Sequence, residues 1–295
     1  MLIAEQHIST MRIPPYFDAL LQAWEMGATG RCVHLGYWDL DDRTANVSTL
    51  SLSDAQQALD ARMTEFGDVQ NGQTVLDVAC GFGGLLQALD DRFREMQFTG
   101  VNIDRRQLDV CRSIRFRGQN SIHWQEADAC CLPFSDQQFD RVFCIEAMFH
   151  FASRRTFLME MLRVLKPGGR FVLTDIRIDS TGARERLPAF AVHALLSDGY
   201  GPWPDPWCTS GTASEVCRQL GAHDVRTHDL TENTRPGYEQ MISGRAQDDV
   251  DPGNPLMRSL LMLRWLHLSG LLRYEAVTGY RALEVASGRN TGCLT

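Results

Sequence analysis

The stretch Thr74–Gln87, TVLDVACGFGGLLQ, constrains the fold more than any other part of the chain. A short apolar run, Val75, Leu76 and Val78, carries an acid at Asp77 and ends in the cluster Gly81, Gly83, Gly84. Leu85, Leu86, Ala88 and Leu89 follow with helix-forming character. Strand, tight glycine turn and helix in that order make the nucleotide-binding corner of an open α/β sheet. Glycine suits the turn because a Cβ would collide with a ligand lying on the backbone, and because such a turn calls for positive φ. The dinucleotide fingerprint Gly-x-Gly-x-x-Gly/Ala fails, since its third glycine position, counted from Gly81, is Leu86. An acid four residues ahead of Gly81 suits a ligand with an ammonium group and no phosphate.

Downstream segments continue the strand–helix alternation. A second strand is expected over Gln97–Ile103. In a doubly wound sheet the residue at its carboxyl end reaches ribose hydroxyls, which singles out Asn102. Its amide bonds a diol with less charge assistance than an acid would. Asp104 reads equally as a helix N-cap or a binding group. A third strand, Ser121–Gln125, leads to EADACCLPF with Asp128 at the strand end. Val142–Ile145 is a continuous apolar run, as a central parallel strand requires. Beyond it lie Glu146, Ala147, Met148, Phe149 and His150, which the crevice rule turns toward the ligand. Ser153 caps the next expected helix, Lys166-Pro167-Gly168-Gly169 stops it, and a fifth strand covers Arg170–Asp175.

TVLDVACGFGG, GVNIDRRQL, EADACCLPF and LRVLKPGGRFVLTD, in this order and spacing, resemble the motifs of class I S-adenosylmethionine-dependent methyltransferases, in particular bacterial small-molecule enzymes of natural-product pathways. Ala79 departs from the family, which usually has its first glycine there, and keeps the site small. Asn102 departs too, standing where an acid is usual, and matches the GVN-type variant. The resemblance implies an α/β fold, a doubly wound seven-stranded Rossmann-like sheet with helical lid insertions, and S-adenosyl-L-methionine as cofactor. It places Asp77, Ala79, Gly81, Gly83, Asn102, Ile103, Gln107, Asp128, Ala129 and Glu146 around that cofactor, with Asp128 accepting from the adenine amino group. HLGYWD, His34–Asp39, reads either as a packed aromatic turn or, by resemblance, as a segment folded over the methionine end, with Tyr37 touching the cofactor. Leu35 replaces a tyrosine common in the family.

The organisation expected is an N-terminal helical lid over residues 1–51, a cofactor-binding core over 52–176, a substrate-lid insertion over 177–210, and the remainder of the core with a helical insertion over 211–295. Tyr16, Phe17, Leu20, Leu21 and Trp24 fall at helix spacing after Pro14–Pro15, and this apolar helix also offers a surface for self-association. Ser53 is the expected cap of the first core helix, with Gln56 three residues on. Arg177, Arg184, Arg186, Tyr200, Trp203 and Trp207 mark the substrate lid. A helix over Thr212–Leu220, a strand over Asp224–Leu230, helices within 234–270 and a long antiparallel strand over Leu272–Val285 complete the expected sheet.

Composition bounds the function. A formal net charge of −8 argues against non-specific nucleic-acid binding. The basic run Arg105, Arg106, Arg112, Arg115, Arg117 reads as a solvated helix face. No stretch approaches the roughly 18–20 apolar residues of a membrane span. MLIAEQHISTMRIPP lacks a basic region followed by an apolar core, so a cytoplasmic location is expected. The nine cysteines, without paired metal-type spacing, read as reduced thiols. Cys130–Cys131 are adjacent and His193, His223 and His228 lack helical pairing, so no metal is expected.

Methyl transfer from a sulfonium is an in-line displacement that needs approach geometry, a deprotonated nucleophile and a water-poor pocket. An imidazole with an ordinary pKa of about 6.5 accepts a hydroxyl proton at neutral pH. In the family, His and Asp at the ends of the fourth and fifth strands have base roles in sugar hydroxyl methylation. Carried over, this makes His150 and Asp175 the catalytic candidates, with Glu146 in reserve. Three functions are expected to compete: O- (or N-) methylation of a secondary-metabolite acceptor; C-methylation of an alkene or prenyl diphosphate through a carbocation steadied by Phe149, Trp203 and Trp207; and cofactor binding without catalysis.

Overall fold

The computed structural model describes residues 13–40, 50–116, 119–179, 189–243 and 253–283. Arg117, Arg184, Arg186 and the expected continuation of the last strand to Val285 lie outside the described residues. The chain forms a seven-stranded sheet in the order β3-β2-β1-β4-β5-β7-β6. Its strands are β1 (Thr74–Val78), β2 (Gln97–Asn102), β3 (Ser121–Glu126), β4 (Phe139–Cys144), β5 (Leu165–Ile178), β6 (His223–Asp229) and β7 (Leu272–Tyr280). β7 runs antiparallel to β5 and β6, and the pairs from β3 through β5 are parallel. The strand order reverses between β1 and β4, which opens a crevice at their carboxyl ends.

Both faces of the sheet are covered, which is why the second half of β4, Val142–Cys144, is apolar and buried. Val142 and Cys144 point into one layer with Phe157, Met161 and Leu162 of α5 (Arg154–Val164) and Val216 of α7 (Ala213–Gln219). Phe143 points into the other, with Leu59 and Met63 of α2 (Leu52–Gly67) and Leu86 and Leu89 of α3 (Gly84–Arg92). This second layer extends over the carboxyl ends of the strands. There α6 (Ala189–Tyr200), α8 (Thr231–Ser243) and α9 (Pro255–Leu268) contribute Val192, Tyr238 and Leu260. α1 (Tyr16–Glu25) closes the same end. No helix of the described residues is long and apolar enough to cross a membrane.

Two local expectations change, at Ser53 and at the start of β5, and one left open, at Asp104, is decided. The cap of α2 is Ser51, whose hydroxyl accepts from Asp54 N–H at 3.1 Å, and Ser53 lies inside the helix. Asp104 is the N-cap of α4 (Arg105–Cys111), accepting from Arg106 N–H at 2.9 Å. β5 begins at Leu165, ahead of the Lys-Pro-Gly-Gly turn. Leu165 pairs with Phe139, and pairing resumes at Arg141–Arg170 after a shift in register. Gly168 at φ +75° permits that looped excursion, so helix end and strand start fuse.

Candidate functional site

A cavity of ≈ 460 Å³ fills the crevice, within the range of small-molecule sites. Its floor is the β1–α3 turn, where Asp77, Ala79 and Gly81 line the wall. Burial, and then the nearby Asp60 carboxylate, push Asp77 well above the usual carboxylate range. Ala79 takes φ +61° and Gly81 φ +54°. The departure at Ala79 is therefore a matter of backbone strain as well as size, because an L-residue in the left-handed region costs about 1–2 kcal/mol. Gly83, expected at the ligand, is not on the cavity wall. It caps α3 at φ +79°, and a Cβ there would stand 2.8 Å from Ile114 Cδ1, so packing and turn geometry require it.

Asn102, Ile103, Gln107, Asp128 and Ala129 line a second side. Asn102 Nδ2 donates to Gln107 Oε1 at 2.9 Å, and its Oδ1 accepts from Asp104 N–H at 3.1 Å. Gln107 Nε2 is buried with no protein partner, a donor left for something else to satisfy. Arg106 clamps both oxygens of Asp104 and reaches Asp18 of α1 at 2.6 Å, tying that helix to this wall. Asp128 Oδ1 accepts from Cys130 N–H at 2.8 Å, which orients the carboxylate.

The third side is built on the segment after β4. His150 Nδ1 donates to the Pro202 carbonyl at 2.7 Å, which leaves Nε2 as the acceptor, 3.2 Å from the Tyr16 hydroxyl. Burial pushes the imidazole down to about 4, so the ring is neutral near pH 7. Phe149 stacks on Trp203, ring centroids 4.4 Å apart at 28°. Tyr200, Pro202, Met241 and Leu263 add an apolar surround.

Besides Gly83, two expected residues are not brought to this cavity, and a further one is held by other groups. Asp175 is buried off the cavity wall, with its two carboxylate oxygens accepting from Arg154 at 2.9 and 3.1 Å. Tyr37 is half-buried against the core, its N–H donating to Ala55 O at 2.8 Å, and lies off the wall. Glu146 lines the cavity, yet its carboxylate accepts from Leu35 N–H at 2.9 Å and from the Tyr274 hydroxyl at 3.0 Å. Held also through its own N–H to Thr174 Oγ1 at 2.7 Å, and at φ +53°, Glu146 fastens the HLGYWD segment to three strands.

Sequence reasoning missed Tyr16 as a site group, along with Arg31, Cys32 and Asp60. Arg31 lines the cavity and donates to Phe82 O at 3.3 Å. Cys32 Sγ and His34 Nε2 each lie 3.1 Å from a different oxygen of Asp60. Burial works against a charged His34 ring, but the Asp60 carboxylate outweighs it and holds the ring well above the usual imidazole range. Only the helical period of α1 hinted at Tyr16. Nothing in the spacing links Cys32 to Asp60, which stand on separate elements.

The match to a methyltransferase domain spans residues 76–173. The O-methyltransferase cnsE of Penicillium expansum is 30% identical over 219 residues, covering 70% of this chain and 71% of that protein. Methyltransferase GfsG of Streptomyces halstedii is 32% identical over 216 residues, covering 69% and 70%. Among solved structures, the [4+2]-cyclase SpnF superposes with a TM-score of 0.68 at 22% identity, covering 91% of this chain and 94% of that one, a likeness of fold.

Proposed function

Since the chain belongs to the S-adenosylmethionine-dependent methyltransferases and acts on a small molecule, we propose that it methylates a hydroxyl oxygen of a secondary-metabolite acceptor, with His150 as the base. The observation that carries this reading is the hydrogen-bonding state of His150. Its Nδ1–H is committed to Pro202 O, its Nε2 lone pair is presented beside Tyr16, and burial keeps it neutral. A hydroxyl in the place that the tyrosine hydroxyl now addresses would give its proton to Nε2 as the oxygen attacks the methyl carbon. Because the departing group would be a neutral thioether, the protein would need to supply no acid on that side.

When bound, the cofactor supplies an already activated methyl group. The residues suited to hold it are Asn102, Gln107 and Asp128 for the adenosine part, and the Asp77–Gly81 turn for the amino-acid part. Gln107 Nε2, buried and unpartnered, is the donor such a ligand would satisfy. The apolar surround of Phe149, Trp203, Met241 and Leu263 excludes water, which the displacement requires. The likeness to the O-methyltransferase cnsE of Penicillium expansum supports this reading.

Alkene methylation is the second reading, and the Phe149–Trp203 stack favours it, since two aromatic faces steady a carbocation. A diphosphate acceptor would also need free cations. Among the described residues Arg154 is taken by Asp175 and Arg177 by Glu275, whereas Arg31 lines the cavity bonded to Phe82 O and Ser113 Oγ, so the supply of cations leaves the choice of acceptor to the assay. A labelled-methyl assay against pooled hydroxylated metabolites and pooled prenyl diphosphates, with and without magnesium, separates the two. Label confined to prenyl products would overturn the hydroxyl reading.

A further inference from the structure

The geometry points to a transition-metal site, of zinc type, formed by Cys32, His34 and Asp60 in the wall of the same cavity. Cys32 and His34 stand at i and i+2 on the segment that enters HLGYWD, and Asp60 faces them from the buried side of α2. One donor atom from each (Sγ, a ring nitrogen, a carboxylate oxygen) lies within 4.8 Å of the other two. Metal bonds of about 2.0–2.3 Å to nitrogen, oxygen and sulfur set donor separations of roughly 3.3–3.7 Å in a tetrahedron. Side-chain adjustments of an ångström or less therefore bring the trio onto one ion.

Four further observations fit a metal. The donor set of one thiolate, one imidazole and one carboxylate is that of borderline divalent ions, not of magnesium or calcium, which take oxygen. His34 Nδ1 donates to Leu35 O at 2.7 Å, the outer-shell bond that fixes the tautomer of a ligating histidine and aims Nε2 at the ion. The backbone on both sides is fastened: Gln56 Nε2 donates to His34 O at 2.7 Å, and Thr64 Oγ1 to Asp60 O at 2.7 Å. All three residues line the cavity, which leaves a fourth position for water or a cavity ligand.

The site touches the glycine turn. A Cβ on Gly84 would stand 2.8 Å from Cys32 Sγ, so the sulfur packs directly on the first residue of α3. An ion here would fasten the lid-proximal segment to α2 beside that turn. Binding would displace the thiol proton and the Nε2 proton to solvent, giving the thiolate and neutral imidazole as ligands.

The test uses full-length protein freed of metal by a chelator and titrated with Co²⁺. One saturable equivalent with thiolate-to-cobalt charge-transfer absorption in the near ultraviolet is expected, with stoichiometric displacement by Zn²⁺. Cys32→Ser should abolish that band, Cys131→Ser should leave it, and Asp60→Asn should weaken binding tenfold or more. No saturable binding, or a band that survives Cys32→Ser, overturns the site and leaves the cluster a buried ion pair with a thiol beside it. If Cys32→Ser does not fold, X-ray absorption at the cobalt edge of the unsubstituted protein decides, one sulfur neighbour supporting the site and none refuting it.

Discussion

Tyr16 and His150 are 134 residues apart in the chain, and the tyrosine hydroxyl lies 3.2 Å from His150 Nε2. The contact joins α1 to the proposed base, and the Asp18–Arg106 pair fastens the same helix to the wall formed by Asn102 and Gln107. These two bonds tie α1 to both sides of the cavity. Replacing Tyr16 by Phe removes one hydrogen bond, a loss of about 0.5–1.5 kcal/mol. We expect kcat/KM to fall roughly 2–12-fold with cofactor affinity unchanged. Steady-state kinetics beside cofactor titration would show it, and an unaltered kcat/KM would remove Tyr16 from the working site.

His150→Gln should lower kcat about 10²–10⁴-fold while cofactor affinity holds, the range expected for loss of a general base. The pH profile offers an independent check. With the ring pushed down to about 4, the wild-type acid limb should fall near pH 4 and not near 6.5. The sign for stability agrees: the unfolded ring binds its proton near 6.5 and the folded ring only near 4. Its contribution is therefore complete above about 6.5 and is lost as pH falls toward 4. A wild-type limb between pH 6 and 7 would speak against this environment.

Asp175→Asn tests the opposite assignment. It leaves Arg154 buried without its countercharge, and breaking such a pair costs about 3–5 kcal/mol. Chemical denaturation should register that loss, while kcat of the remaining folded protein stays near wild type. A hundredfold fall in kcat at undiminished stability would restore Asp175 as a base.

Ala79→Gly should stabilise the fold. Release from φ +61° returns about 1–2 kcal/mol, and the looser unfolded glycine takes back about 0.5–1. A net gain of about 0.5–1 kcal/mol in urea unfolding is expected. A loss of stability would mean that the alanine methyl packs well enough to outweigh the strain.

The core was legible because its signals are local. Strand, glycine turn and helix in TVLDVACGFGGLLQ follow from consecutive residues, and the apolar run Val142–Ile145 announces a strand buried on both faces. Strand ends then locate Asn102, Asp128 and His150 on the cavity wall without any knowledge of contacts. Asp175 lies off the cavity wall for the complementary reason: the strand end was right, but Arg154 stands 21 residues earlier on the preceding helix, and no pattern in the sequence pairs them. Ser53 failed because two serines compete for one cap and only backbone geometry chooses Ser51.

The sequence by itself determined the family, the doubly wound sheet and the cofactor, since each rests on short-range order of residue types along the chain. Tertiary structure alone decided which side chains meet across elements. It put Tyr16 on His150, Arg154 on Asp175, Glu146 under HLGYWD, and Cys32 and His34 on Asp60. Those meetings depend on how helices settle over the strand ends, which burial and packing set jointly over the whole layer, and no local spacing encodes them.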